Sequence, residues 1–439
     1  MQEVTILQML EAREKRADLQ KQLISIYKTP LICFTMNIAG PYKTSPIIER
    51  AFLEGMQLLK ENFKKDIVHS ESKISVTGCE AMLCVSSESQ KVKDICVKIE
   101  ESHPLGRLFD MDVLGVNGAK LERRNLRGCI VCGKEGRECA AGRLHSVEEL
   151  QQATNTIIDD YFVRKDSEYI GNLATECLLQ EVYTTPKPGL VDRNNNGSHK
   201  DMNMALFEKS AKCLTPYFCR CFEIGYKNKN QSFEQIFSML RKAGIGAEKD
   251  MFEVTEGVNT HKGAIFSLGV ICGAVGMLWN AENLCPDTQE ILSLCGKLTK
   301  NAMQKDFLST DNSTAGIKAY KEYKISGVRG EVASGFLSVK NISLPIYQHA
   351  LAQGYSKNDA GAIALIHLIS SVEDTTVYSR GGKDGADFAK KSAKDLIKNT
   401  AFPSIAEIER LDREFIARNL SAGGCADLLA VTYFLSNFK

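Results

Sequence analysis

The 439-residue chain has almost no excess charge, no tandem repeat, no low-complexity tract and few long uncharged runs. Its 55 Lys+Arg against 54 Asp+Glu leave a net charge of +1. Such a balance supplies no bulk attraction to nucleic acid or to a membrane surface. No secretory signal is evident, since MQEVTILQMLEAREKR is charged and amphipathic. The 15 cysteines are therefore expected as reduced thiols in a cytoplasmic protein, not as a disulfide framework. One uncharged run, Gly263 to Ala281, comes near bilayer-spanning length. It is rich in glycine, stands alone and follows His261 and Lys262 directly. A buried helix at the centre of a large helical domain is expected there.

A hydrophobic content of 44% with 25% charge is that of a globular protein, and the length predicts roughly two or three domains. Helix is expected from Thr5 to Tyr27, a short strand over Leu31 to Met36, and helix again from Pro46 to Phe63. One or two strands follow in Lys73 to Ser86, then helix from Glu88 to Glu101 and a strand within HPLGRLFDMDVLGV. After about Val147, apolar positions recur with helical spacing almost to Lys439. The expectation is an α/β N-terminal domain over 1–155 followed by a larger all-α C-terminal domain over 165–439. No Pro- or Gly-rich linker separates them, so a helix is expected to join them.

Two features of the first half carry chemistry. Arg107, Asp110 and Asp112 are expected on one strand, where residues two apart share a face. The two carboxylates can then converge on one Mg2+, the usual way to bind a departing diphosphate, with Arg107 near the same phosphates. A solvated sheet edge is the plain alternative. The second feature is Cys129-x2-Cys132-x6-Cys139-x5-His145, a set that suits tetrahedral Zn2+ in a closed, structural site. Its alternative is three ordinary thiols and a histidine at a helix start.

NIAGP, HPLGRLFDMDVLGVNGAKLERR and CIVCGKEGRECAAGRLHSVEEL together resemble the citrate lyase holo-acyl-carrier-protein synthase family. The resemblance implies transfer of a phosphoribosyl-dephospho-CoA group to a serine of the apo citrate lyase acyl carrier protein, with release of diphosphate. It matches Asp110 and Asp112 to the family's acidic pair and Arg107 to its preceding arginine. Ala39 stands where the family has proline, and Ala141 and Gly142 where it tends to have arginine. His103 and His145 are both candidate bases.

The second half centres on EVYTTPKPGLVDRNNNGSHKDMNMALFEKS, from Glu181 to Ser210. Its polarity, with two prolines and two glycines to break any helix, predicts that the segment is loop between helices, and long loops of this kind tend to be functional. Glu181, Lys187, Asp192, His199 and Asp201 can converge there. Four further clusters lie at helix ends: Asn259, His261 and Lys262; Arg329 and Glu331; Glu373, Asp374 and Arg380 with a Gly381-Gly382 turn; and Asp427. Each has a plain capping or surface explanation. Together they suit an open bundle end that holds a polyanionic, metal-bound ligand.

KPGLVDRNNNGSHKDM, GVNTHKGAIFSLG, GVRGEVASGF, EDTTVYSRGG and GGCADLLAVT resemble, in order, the triphosphoribosyl-dephospho-CoA synthase family. The resemblance implies an all-helical enzyme that joins ATP to dephospho-CoA and expels adenine; Ala422 stands where the family often has proline. For such a glycosyl transfer, Glu181, Asp201, Glu373 and Asp374 are expected to share metal binding and proton removal. His199 is expected as an acid or phosphate ligand, and Lys187, Lys262 and Arg380 to hold the triphosphate. Two other readings keep the same residues: the same chemistry for a malonate decarboxylase carrier protein or a phosphotransferase acting on another nucleotide. A third is a non-catalytic, zinc-stabilised carrier-protein adaptor.

Overall fold

The computed structural model describes residues 2–124, 127–280, 282–308 and 320–439; Ala281, which closes the long uncharged run, lies outside them. The chain divides into two compact units, Met1–Arg164 and Lys165–Lys439. One helix, Val147–Tyr183, runs from the first into the second.

The first unit begins with helix α1 (Ile6–Tyr27), started by a Thr5–Gln8 capping box. Strand β1 (Leu31–Met36), helix α2 (Pro46–Asn62), strands β2 (Ile67–Ser75) and β3 (Gly78–Val85), helix α3 (Ser89–Ser102) and strand β4 (Phe109–Leu114) follow. The sheet order is β2-β3-β1-β4, and every pair is antiparallel. This is the β-α-β-β-α-β split arrangement, in which the first strand sits between the third and the fourth. Strand β2 starts at Ile67, six residues before the expected start. Its middle is mostly exposed, so burial leaves little hydrophobic signal in that segment.

Apolar packing covers one face of the sheet and part of the other. Ile32, Phe34, Leu83, Phe109, Met111 and Val113 pack with α2 and α3. On the opposite face Leu31, Cys33, Met82 and Cys84 pack against Leu23 of α1. The apolar cover on this face stops short, because β4 presents Asp110 and Asp112 there instead of hydrophobic residues.

The second unit is helical, with no named strand among its described residues. Helix α4 (Gly136–Ala141) and helix α5 (Val147–Tyr183) complete the first unit and enter the second. Then come α6 (Met204–Cys213), α7 (Thr215–Asn228), α8 (Phe233–Val254), α9 (Lys262–Leu278), α10 (Thr288–Leu308), α11 (Gly327–Ala333), α12 (Leu344–Ala352), α13 (Lys357–Ser371), α14 (Thr375–Ile397), α15 (Ile405–Ala417) and α16 (Gly423–Leu435). Helix α9 is buried on nearly all sides, as a helix that is apolar all round must be. No helix among the described residues is long and apolar enough to cross a membrane. Glycine allows its close packing on α7: a Cβ at Gly276 would lie 2.1 Å from the Phe222 carbonyl.

Candidate active sites

In the first unit, pleating decides what β4 presents. Phe109, Met111 and Val113 enter the core with α2 and α3, so Asp110 and Asp112 share the other face. Asp110 stands opposite Thr35 and Asp112 opposite Cys33 on β1. Lys120 pairs with Asp112 at 2.5 Å, whereas Asp110 has no ion-pair partner among the described residues. Desolvation, followed by the nearby Asp112 carboxylate, raises the Asp110 carboxyl above its ordinary range.

Arg107 does not lie on the strand, contrary to the sequence expectation. It sits in the 3-10 turn Gly106–Leu108 that precedes β4, and its Nη2 donates to the Gly128 carbonyl. Burial and the nearby Arg127 and Arg123 guanidiniums lower its pKa. Strand β4 is fastened from behind by Glu100 of α3, which accepts from the Met111 N–H at 2.7 Å. Glu100 also pairs with Arg127 at 2.5 Å, and Arg127 donates to the Phe109 carbonyl at 2.6 Å. His103 accepts from the Leu105 N–H at 3.1 Å and stacks on Phe109, so this candidate base is engaged in capping. The other, His145, lies with Cys129, Cys132 and Cys139. The ligand atoms of these four residues all fall within 4.8 Å of one another, so the set can hold a metal ion.

In the second unit the loop between α5 and α6 is ordered by its own acids and by two helices. Lys187 is buried, and its Nζ donates to the Glu181 carbonyl at 2.7 Å and pairs with the Glu181 carboxylate at 2.5 Å. Burial raises the Glu181 carboxyl, and Lys187 opposes that shift. Asp192 accepts from the N–H groups of Lys187, Asn194 and Asn195, so its carboxylate shapes the loop. From α15, Asp412 accepts from Gly189 N–H at 2.8 Å and from Asn195 at 3.0 Å. From α13, Asn358 accepts from Thr185 N–H and donates to the Thr185 carbonyl.

His199 is held on both ring nitrogens. Arg380 donates to Nδ1 at 3.0 Å, which leaves Nε2–H to donate to Ser421 at 2.9 Å. Burial and Arg380 lower its pKa, so the ring is neutral at pH 7. Arg380 also donates to the Ser198 carbonyl and to Asn419; its guanidinium is occupied by the loop.

Asp427 lies over the start of α9. A Cβ at Gly263 would meet its Oδ2 at 1.8 Å, so only glycine allows this approach. The Ala264 N–H bonds the carboxylate, yet burial, Glu181 and Asp374 raise it well above the ordinary range. Asp374 is buried and caps two helices, accepting from Thr376 and Val377 of α14 and from Cys425 of α16. His261 is buried as well. Thr260 donates to Ser210, Ser210 therefore donates to His261 Nδ1 at 2.8 Å, and Nε2 has no partner among the described residues. Burial and Lys187 push His261 down to about 3.

The structure thus links these residues pairwise: Lys187 acts on Glu181 and on His261, and Glu181 and Asp374 act on Asp427. It keeps others apart. Asp201 is exposed. Glu373 is exposed and bonded to Lys390 and Tyr378. Glu331 holds the backbone and hydroxyl of Ser338. Asn259 caps Lys262 N–H at 3.2 Å, and Lys262 pairs with Glu248 at 2.7 Å. Arg329 is half-buried in the same region, with Glu248 among its charged neighbours and with Nη1 unpartnered among the described residues. The expected Gly381-Gly382 turn is instead a kink inside α14, where Gly382 takes φ 59.

Sequence reasoning passed over Glu100, Ser210, Asn358, Asp412 and Ser421. For Asp412 a signal existed: it lies in the buried stripe Ile408, Leu411, Asp412, Phe415 of α15. Glu100 lies likewise in the stripe Val92, Lys93, Cys96, Ile99, Glu100 of α3. An acid in an apolar stripe must have a partner.

Comparison with known proteins agrees with this division. The sequence profile described as "CitX: Apo-citrate lyase phosphoribosyl-dephospho-CoA transferase" matches residues 4–161. That described as "CitG: ATP:dephospho-CoA triphosphoribosyl transferase" matches residues 167–439. A protein named CitXG from Haemophilus influenzae is 35% identical over 99% of this chain and 97% of its own length. Another CitXG, from Leuconostoc mesenteroides subsp. cremoris, is 36% identical with the same coverage. A 2-(5''-triphosphoribosyl)-3'-dephosphocoenzyme-A synthase from Escherichia fergusonii is 39% identical over 61% of this chain and 90% of its own. A solved structure described as "putative triphosphoribosyl-dephospho-coA synthase from Archaeoglobus fulgidus" covers 52% of this chain and 96% of its own, at 18% identity and a TM-score of 0.32, too weak a likeness to add to the fold described above. With both profiles matched in sequence order and relatives aligned from end to end, the chain belongs to the CitXG family of transferases.

Proposed function

We propose that this chain makes the prosthetic group of citrate lyase in its second unit and attaches it in its first. The observation that carries this reading is the pair of family matches on one chain, 4–161 and 167–439.

In the second unit, the 2'-hydroxyl of dephospho-CoA attacks the ribose anomeric carbon of ATP. The bond to adenine breaks, adenine takes the electron pair and a proton, and triphosphoribosyl-dephospho-CoA remains. A cation-like ribose needs negative charge close by. Glu181, held against Lys187, supplies it, and the raised Asp427 carboxyl suits proton transfer to or from the reacting groups. Lys262 and Arg329 supply cations to the phosphates, Lys262 by exchanging its pair with Glu248, while Asp374 and His199 hold the helix ends and the loop in position. His261 keeps a neutral N–H donor beside them.

In the first unit, the carrier serine attacks the α-phosphorus and the bond to the departing diphosphate breaks. Asp110 and Asp112 fit a magnesium ion: they are hard oxygen donors on one strand face, and Asp110 forms no ion pair among the described residues. When bound, Mg2+ offsets the charge that grows on the leaving diphosphate. Arg107 and Lys120 supply fixed cations to the same phosphates.

Incubation of apo carrier protein with this chain, ATP, Mg2+ and dephospho-CoA tests the reading by intact mass and chromatography. The expected result is carrier gaining one phosphoribosyl-dephospho-CoA group as adenine appears. ADP in place of adenine supports a phosphotransferase instead; no nucleotide product at all leaves an adaptor.

A further inference from the structure

The segment from Gly128 to Ser146 is held by very little apolar packing. Among its residues only Cys139 is buried, and its regular structure is one short helix, α4. Ordering each residue costs about 1–2 kcal/mol of backbone entropy, and the partly buried Ile130, packed against the core of the first unit, offsets only a little of that. Small coreless segments of this kind are usually stapled by a metal or a disulfide. No disulfide is present, but four potential metal-ligand atoms lie within 4.8 Å of one another.

Cys129 and Cys132 lie on a tight hairpin. Cys129 N–H bonds the Lys134 carbonyl at 2.5 Å, Gly133 N–H bonds the Cys129 carbonyl at 3.0 Å, and Gly136 N–H bonds the Arg127 carbonyl at 2.9 Å. The Val131 N–H points at Cys129 Sγ, 3.4 Å away, as a backbone N–H does toward a thiolate. Helix α4 returns Cys139, with its Sγ 3.5 Å from Cys132 Sγ. His145 Nε2 completes the set 3.3 Å from the same sulfur. Tetrahedral zinc with Zn–S near 2.3 Å has ligand–ligand edges of roughly 3.4–3.8 Å. The other ring nitrogen, Nδ1, faces the Glu149 carboxylate at 3.9 Å, the sort of neighbour that orients a metal-bound histidine.

This knot reaches β4 and the turn before it through Gly128 and Arg127. The carbonyl that Arg107 grips belongs to Gly128, next to Cys129, and Arg127 on its other flank grips Phe109 at the start of β4. We propose that Cys129, Cys132, Cys139 and His145 bind one zinc ion, and that the metal-closed hairpin fixes Arg107 in the turn that leads into β4, the strand that carries Asp110 and Asp112. Three thiolates and an imidazole fill all four places, so the ion is structural and takes no substrate. Zinc binding stands on these four residues alone; the role of Arg107 rests on the carrier-loading reading above.

The test uses the full chain purified without chelator. Elemental analysis is expected to find close to one zinc per chain; less than about a tenth, or iron instead, overturns the site. Cys132→Ser and His145→Ala are expected to lose the zinc. His145→Cys, which keeps four ligands, is expected to retain it, and loss there also overturns the site. With supplied triphosphoribosyl-dephospho-CoA, the zinc-free variants are expected to load carrier at least tenfold more slowly, while releasing adenine from ATP and dephospho-CoA at the normal rate. Arg107→Ala keeps its zinc and shows a similar loss. Combining Arg107→Ala with Cys132→Ser should add no further loss; a second tenfold drop overturns the positioning role. If the zinc-replete wild type loads no carrier at all, the functional reading fails while the metal site stands.

Discussion

The two units place their acids in opposite environments. In the first, Asp110 and Asp112 stand on an uncovered part of a sheet face, with Lys120 folded onto one of them. In the second, Glu181, Asp374 and Asp427 are packed among helix ends, with Lys187 as the cation enclosed beside Glu181. An open face suits a second substrate as large as a carrier protein. An enclosed cluster suits a small nucleotide, because exclusion of water strengthens each charge interaction. The comparison teaches that pooled acids are not equivalent: desolvation raises Glu181 and Asp427, whereas Asp192 and Asp412 hold backbone.

The largest expected effect that sharpens this contrast is at Asp427. Asp427→Asn is expected to slow adenine release roughly 10²–10⁴-fold, the usual span for a proton-transfer group. Loading from supplied triphosphoribosyl-dephospho-CoA should be untouched. Measured with chromatographic adenine detection, a variant that turns over at more than a tenth of the normal rate removes Asp427 from the mechanism.

Next comes Lys187. Lys187→Met leaves a buried Glu181 carboxyl without its cation, which costs about 3–5 kcal/mol. The second unit should melt earlier in a thermal scan while carrier loading at low temperature persists. Equal melting of wild type and variant would mean that the Glu181–Lys187 pair carries no net stabilisation.

A smaller effect depends on pH. His261 titrates at about 3 in the folded chain and near 6.5 when unfolded. Between those values the unfolded chain binds a proton that the folded chain does not. Stability is complete above pH 6.5 and falls as pH drops toward 3, by up to about 1.4 kcal/mol per unit. His261→Gln should flatten that acid-side slope in the melting of the second unit, and an unchanged slope would place the titrating group elsewhere.

The smallest effect is expected at Glu373. It is exposed and paired with Lys390, and such pairs contribute under about 1 kcal/mol. Glu373→Gln should leave adenine release within about twofold. A hundredfold loss would restore Glu373 to the chemistry and break the line drawn here between enclosed and surface acids.

Much of this molecule was legible in its sequence. Strand β1, helix α2 and the buried α9 fall where periodicity places them, because burial on one face or on all sides leaves a direct pattern. The joining helix is also present. Strand β2 was less legible, since its outward middle is polar. Arg107 was misplaced because three residues of 3-10 turn carry no periodic signal. Among the site residues, sequence spacing gathered acids without ranking them. Asp374 and Glu373 are adjacent in sequence, yet one caps two helices and the other faces solvent. That distinction is made by residues far along the chain, such as Cys425 and Lys390. Asp412 and Glu100 show what a closer reading can recover: each breaks an apolar stripe, and each holds the backbone of a functional segment.

The central claim is that two independent sites act in succession, and Asp110→Asn tests it most directly. Supplied with ATP, Mg2+, dephospho-CoA and apo carrier protein, the variant is expected to release adenine at the wild-type rate and to leave the carrier mass unchanged. A folded Asp110→Asn protein that loses adenine release together with loading would contradict the account.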